Sequence, residues 1–514
     1  MTLNRSGRQT AGVNRRQFLK ASLATAVLVP FAERGYGAPA RALPEATPQK
    51  LPRWRGFNLL EKFHYPWNNG PFVEGDFEWI SDWGFNFVRL PMDCRCWATT
   101  PEAEFNEQTM KEIDQAVAWG KQYGVHVCLN FHRSPGYCVN MADGEQPTLW
   151  TEAQAQKHFA RHWGVFAARY RGVPSRELSF NLINEPGDIT GPVYAAAMRP
   201  AIETIHSADP QRLIIADGIR WGTTPVPELI PFGIAQSTRG YEPMLVSHYQ
   251  ANWIHHDGPW PAPTWPIPVG INNHLYGDSK PEFKSALVLR VECPQATPFS
   301  IHIAQVSAQA ELMVKADGAV VLQKLFQPGS GAGEWKKSEL TAWGGYNADY
   351  DRDYSATLPA GTREVKIEVG QGDWLTFSEW RLGQIIITPG SVDWGVKQEA
   401  FMVDALGAHP VDSRYLYSRE TLQQKVVEPW QALAAQGVGV VVGEWGAFNR
   451  TPHAVALAWM HDCLDNWRAA GFGWSLWNFR GPFGILDSDR EDVAYEVFKG
   501  HQLDRKMLEL LQQF

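Results

Sequence analysis

Short apolar runs alternate with longer stretches of helical periodicity along most of this chain. The runs are WRGFNLL, NFVRLP, VHVCLNFHR, LSFNLINEP, RLIIADG, MLVSHY, VGVVVGEWG and FGWSLWNFR. Between them lie stretches such as EFNEQTMKEIDQAVAWGKQYG and TEAQAQKHFARHWGVFAARY. In the second, Phe159, Trp163, Phe166 and Tyr170 recur at helical spacing and predict one buried stripe, with Thr151 and Gln154 as a capping box at its start. Strand–helix alternation of this kind predicts a parallel sheet, and eight such units predict an α/β fold of the (β/α)8 TIM-barrel type.

The interval between MLVSHY and VGVVVGEWG is far longer than one strand–helix unit. Within it the period changes to two: SALVLRVECP, FSIHIAQVSA, AELMVKADGAVVL and TREVKIEVG alternate apolar and polar positions between Gly, Pro and Asp turns. Asp317-Gly318 is a hairpin signal. Residues 270–391 are therefore expected to form an inserted antiparallel β-sandwich. The barrel is expected over 52–269 and again over 392–514, resuming through a helix near Thr421–Gln436.

The first forty residues do not fit either domain. Arg15-Arg16 and Lys20 precede the apolar run ASLATAVLVPF and the small-residue site Ala38-Pro39-Ala40. This pattern predicts a signal peptide over 1–40, resembling a twin-arginine export signal, then a linker over 41–51. An exported protein, periplasmic or extracellular, is the expectation, with no membrane span in the mature chain.

Composition narrows the function classes. A net charge of −8 with 20% charged residues gives no reason to expect a nucleic-acid partner. The 23 Trp residues supply flat apolar faces of the kind on which sugar rings stack. Six cysteines stand scattered rather than in C-x-x-C units, so no zinc ribbon is expected. Buried free thiols are the expectation, with a bridge from Cys138 to Cys94 or Cys96 as the alternative.

Catalytic groups of such a barrel come from the C-terminal ends of its strands. Those ends carry Asn58 and Glu61, Arg89, His132 and Arg133, Asn184 and Glu185, Arg220 and Trp221, His248 and Tyr249, Glu444, and Trp477. Two of these are glutamates closing apolar runs, Glu185 in LSFNLINEP and Glu444 in GVVVGEWG. Cleavage of a glycosidic bond needs two carboxyl groups, one to protonate the leaving oxygen and one to attack the anomeric carbon. The reaction needs no metal and no organic cofactor, and none is expected. His255-His256-Asp257 has a superficial look of a metal site but reads better as a loop.

With RGFNLLEKF, FNFVRLP, NFHR, NEP, GEWG and LWNFRGPFG in this order, the barrel resembles glycoside hydrolase family 5, the cellulase-like retaining β-glycosidases. The resemblance implies that Glu185 is the general acid/base and Glu444 the nucleophile. It assigns supporting, substrate-binding roles to Arg89, His132, Asn184, Tyr249 and Trp477. That family usually separates the His and Tyr of the sixth strand by one residue, whereas SHYQ makes His248 and Tyr249 adjacent. His248 is kept as a substrate-binding candidate, with His255 or His256 as substitutes.

The expected function is hydrolysis of an oligo- or polysaccharide with retention, a β-glucan first. A β-mannan hydrolase or exo-acting β-glucosidase is the enzymatic alternative, and a non-catalytic carbohydrate-binding envelope protein the alternative from another class. Trp67, Trp97, Trp150, Trp253 and Trp260 are candidate cleft aromatics. The aromatics of the insertion (Trp335, Trp343, Tyr346, Tyr350, Trp374 and Trp380) fit a carbohydrate-binding surface or a sandwich core equally. The insertion is expected to wall one side of the cleft.

Overall fold

The computed structural model describes residues 42–141, 145–254, 260–389, 395–405, 407–412 and 415–514. The expected signal peptide over 1–40, His255-His256-Asp257 and the insertion boundary at Ser391 lie outside these residues.

Eight parallel strands close into a barrel. They are β1 (Arg55–Asn58), β2 (Phe87–Asp93), β3 (His126–Ser134), β4 (Leu178–Asn181), β5 (Leu213–Asp217), β6 (Ala235–Gly240), β7 (Val440–Trp445) and β8 (Gly473–Leu476). Each pairs in parallel with the next, and β1 pairs with β8 to complete the ring. All seven residues of β2 are buried, as a strand covered on both faces requires.

The crossover helices follow the sequence signals closely, with one exception. The helix Glu107–Tyr123 starts at Asn106, whose side chain accepts from the amides of Gln108 and Thr109, and stops at Gly124 in the left-handed region (φ 67°). The helix Ala153–Arg169 buries Phe159, Trp163 and Phe166, with Tyr170 just beyond it, as the stripe predicts. Its Trp163 stacks on Phe131 of β3 with centroids 3.9 Å apart, and the indole Nε1 donates to the Leu182 carbonyl at 3.1 Å. The Thr151–Gln154 capping box is not formed. Thr151 instead ends a short 3-10 turn, donating its amide to Thr148 O, and Glu152 precedes the helix without a side-chain cap.

A second correction concerns the sixth strand. Met244–Ser247, read from sequence as a strand ending at His248 and Tyr249, is a single helical turn. The sixth strand is Ala235–Gly240, AQSTRG, fully buried between β5 and β7.

Two sheets form the inserted sandwich. One contains His274–Tyr276, Thr297–Ser307, Lys337–Leu340, Tyr346–Leu358, Trp374–Leu382 and Ile385–Ile387. The other contains Leu287–Arg290, Ala310–Ala316, Ala319–Phe326, Glu364–Gly372, Ala400–Asp404 and Gly407–Pro410. The pairings are antiparallel except that Leu287–Arg290 runs parallel to Ala400–Asp404. Ala400–Asp404 and Gly407–Pro410 carry the sandwich past the expected end at 391. Alternate residues such as Phe299, Ile301, Leu312, Val314, Val365 and Ile367 meet in its own core, separate from the barrel's. Asp317 and Gly318 make the predicted turn, both at positive φ (44° and 84°). At the base, Ile267–Pro268 pairs antiparallel with Tyr415–Tyr417 and ties the outgoing and returning chain together. The helix after it, Arg419–Ala434, carries a π-helical segment at Gln423–Val427.

Candidate active site

Above β1 to β8 the barrel interior is filled not by apolar side chains but by a buried polar network. Arg89 of β2 is its hub. Its Nη1 donates to Glu444 Oε1 at 2.5 Å and to Asn58 Oδ1 at 2.9 Å; Nη2 donates to Asn184 Oδ1 at 2.7 Å; Nε donates to Asn181 Oδ1 at 2.9 Å. Every guanidinium nitrogen is thus engaged, which fixes Glu444 from one side.

A second arginine holds the other side. Arg239, at the end of β6, donates from Nε to Glu185 Oε1 at 2.9 Å and from Nη2 to Asn184 Oδ1 at 2.9 Å. The same Nη2 is hydrogen-bonded to Asp217 Oδ2 and lies 3.2 Å from Glu444 Oε1. The hydroxyl of Tyr241 donates to Glu444 Oε2 at 3.3 Å. Glu444 is 5% and Glu185 16% exposed at the side chain, so both are largely dehydrated but reachable.

Glu185 sits at a strained point of the chain, with φ 45°. Two contacts fasten that conformation: its amide donates to Asp217 Oδ2 at 3.0 Å, and its carbonyl accepts from the Tyr137 hydroxyl at 2.6 Å. Burial, reinforced by the negative charge of Glu444, pushes its carboxyl up to about 7, while Arg239 pulls the other way. A carboxyl near neutrality can donate and then recover a proton.

Both glutamates open into a cavity of about 920 Å³. His132, His248 and Trp477 line it, as do Trp67, Trp221 and Trp253, whose rings are largely exposed. His132 packs between Phe63 (centroids 4.3 Å apart) and Trp477 (6.1 Å), and its Nδ1 is buried without a partner among the described residues. Burial, with Arg89 and Arg239 adding to it, holds this imidazole well below its usual range, so it is neutral. His248 is lowered to about 4 by burial, and its Nδ1 lies 2.8 Å from Ser247 Oγ. Asn184 uses Oδ1 on both arginines and leaves Nδ2 buried and unpartnered among the described residues.

Not every sequence-named residue arrives at the cavity. Tyr249 does not line it; its hydroxyl accepts from Gln250 Nε2 and its ring meets Trp260 edge-on. The tyrosine at the site is Tyr241. Arg239 and Tyr241, separated by one residue at the true sixth strand end, occupy the place where the family resemblance puts a His and a Tyr. Arg239, Tyr241 and Asp217 were all missed. For the first two the available signal was that one-residue spacing, hidden because AQSTRG has no apolar run. Trp97 and Trp150 belong to the core, and Glu61 faces a separate small cavity beside Asp76 and Arg480. Within the insertion Tyr350 and Trp380 are core, whereas Trp343 is exposed.

No described residue between 270 and 410 lines the cavity, so the described part of the sandwich does not wall it. The wall on that side comes from Tyr417, Lys425 and Val426, just after the sandwich. All six cysteines are free and buried, without the Cys138 bridge. Among the described residues no group of His, Cys, Asp and Glu is arranged to hold a metal ion, and no helix is long and apolar enough to cross a membrane.

Residues 45–240 match the model of the cellulase family, glycosyl hydrolase family 5. Among curated proteins, Endoglucanase C of Acetivibrio thermocellus is 27% identical over 187 residues, covering 35% of this chain and 53% of that protein. Endoglucanase 3 of Fibrobacter succinogenes is 26% identical over 226 residues, covering 40% of this chain and 33% of that protein. The chain thus spans about half the length of the first relative and a third of the second. A solved structure described as a glycoside hydrolase is 26% identical, with TM-score 0.57, covering 90% of this chain and 99% of that one.

Proposed function

We propose that the protein is an exported retaining β-glycosidase acting on a β-linked glucan, a reading supported by the match of residues 45–240 to glycoside hydrolase family 5. One observation carries the reading: Glu185 and Glu444, from the fourth and seventh strands, face one cavity and are gripped by one arginine, Arg239.

In the first step Glu444 attacks the anomeric carbon from within the clasp of Arg89 and Arg239, and Glu185 gives its proton to the departing glycosidic oxygen. In the second, Glu185 takes a proton from water as the water displaces Glu444 from the sugar. Tyr241 orients the attacking carboxylate. The open Nδ2 of Asn184 and Nδ1 of His132 offer polar contacts to the ring in the glycone subsite, and Trp477 offers its stacking face. The export signal expected over 1–40 supports the extracytoplasmic setting, and the two endoglucanase relatives support a β-glucan substrate.

The test is hydrolysis of a panel of β-glucans, β-mannan and aryl β-glycosides by the wild type and by Glu444→Gln. Wild-type turnover that falls by about a thousandfold or more in the variant is expected. Turnover confined to mannan or to single terminal glucosyl groups would redirect the substrate assignment. Equal or absent turnover in both proteins would sink the enzymatic reading.

A further inference from the structure

Two arginines and three carboxyl groups share the interior above the strands. Glu444 meets both Arg89 and Arg239; Asp217 is bonded to Arg239 and lies 4.0 Å from Arg89; Glu185 meets Arg239 alone. Arg89 and Arg239 are 1% exposed at the side chain, and Asp217 is fully buried. Solvent cannot screen a charge imbalance here, so the set must stay near neutrality.

The other titratable groups packed around it do not alter the sum. His132 on β3 is held neutral. The phenols of Tyr137, Tyr194 and Tyr241 are raised by burial and remain protonated. With Glu185 protonated, Arg89 and Arg239 balance Glu444 and Asp217. When Glu444 becomes a glycosyl ester it loses its charge, and Glu185, having given its proton to the leaving oxygen, becomes the second anion. The balance is the same at both stages.

We propose that Arg239 and Asp217 are a positioning pair for the two-step reaction. Arg239 is the counter-ion that passes from Glu444 to Glu185 as the nucleophile is esterified, and Asp217 is the fixed anion that keeps the set balanced at both stages. Arg239 can do this without moving, because its Nε already touches Glu185 while its Nη2 reaches Glu444 and Asp217. Asp217 also fixes the Glu185 amide, so charge and geometry are held by one side chain. The hand-over rests on the glycosidase reading; the electrostatic pairing can be tested without turnover.

That test is a 13C NMR titration of the Glu185 carboxyl, assigned by its disappearance in Glu185→Gln. An opposite charge at contact distance moves a carboxyl by roughly one to three pH units. In Arg239→Gln the Glu185 midpoint should rise by about one pH unit or more, and in Asp217→Asn it should fall by a similar amount. Glu444→Gln, neutral like the ester, should also lower it, and Arg239→Lys should restore the wild-type position. Asp217→Asn keeps the side-chain shape and decides the question if Arg239→Gln does not fold. Midpoints that stay put, or move in one direction in both variants, overturn the pairing. For the hand-over, 2,4-dinitrophenyl β-cellobioside gives the reading. Arg239→Gln should release a burst of dinitrophenolate followed by a steady phase about tenfold slower than wild type, because the base step has lost its counter-ion. A slowed burst with an unaffected steady phase overturns the hand-over. A wild type that fails to turn over this substrate or any β-glucan sinks the glycosidase reading and the hand-over with it, while the titration still decides the pair.

Discussion

At the scale of single residues, Asn184 is held by both arginines. One end of its amide accepts from Arg89 and Arg239; the other is buried and has no partner among the described residues. A buried donor left open is costly unless a ligand takes it up. The 2-hydroxyl of the attacked ring is the natural acceptor, in a contact that tightens in the transition state. Asn184→Ala should therefore lower kcat/KM by on the order of a hundredfold or more on a β-glucoside. On the matching 2-deoxy glycoside most of that loss should vanish, because wild type forfeits the same contact. A penalty of equal size on both substrates would mean that Asn184 serves only the arginines. The two glutamates, Arg89, Asn184, His132 and Trp477 were legible because each follows a recognisable apolar run. Asp217 was not, although it ends the run RLIIADG, because nothing in the sequence says that an aspartate there bonds the backbone of Glu185 rather than capping a helix.

At the scale of elements, β7 shows how close packing protects the site. Gly443 precedes Glu444, and a Cβ there would collide with Ser237 Oγ and press on Arg239 Nη1. Its carbonyl also accepts from Asn58 Nδ2 at 3.0 Å. Gly443→Ala should still fold but should lower both the thermal midpoint and kcat/KM, since the guanidinium linking the two glutamates must give way. Unchanged kcat/KM in the variant would show that the arginine's place is not set by this contact. Seven of the eight barrel strands were readable as apolar runs. The sixth was not: Gln236, Ser237, Thr238 and Arg239 are buried polar residues serving the network and neighbouring loops. The apolar run of a strand is offered instead by Met244–Ser247, which forms a helical turn. The missing capping box has a similar origin, since local spacing was right but a preceding 3-10 turn had already engaged Thr151.

At the scale of the whole molecule, the change of period from mixed to two located the sandwich, and its own closed core explains why. The sandwich runs on past residue 391 because Ala400–Asp404 pairs in parallel with Leu287–Arg290, far back in sequence. The sandwich leaves and rejoins the barrel through the paired segments Ile267–Pro268 and Tyr415–Tyr417, and none of its described residues lines the cavity. Replacing residues 274–410 with a short Gly/Ser linker should leave kcat/KM on soluble oligosaccharides within about threefold of the full chain. Loss on insoluble glucan alone would give the sandwich a role in holding the polymer. Loss on both would mean that the stem needs the sandwich to place Tyr417 and Lys425.

The position of the insertion also orders events during synthesis. Six barrel strands leave the ribosome before the sandwich does, and β6 must wait through its entire translation for β7 to arrive. An unpaired strand edge recruits neighbouring chains most readily when it is apolar and flat. AQSTRG is neither sticky nor strongly strand-forming by itself. The polar composition that hid β6 from a reading of the sequence thus makes it a poor nucleus for aggregation at a seam of the barrel that stays open through the whole insertion.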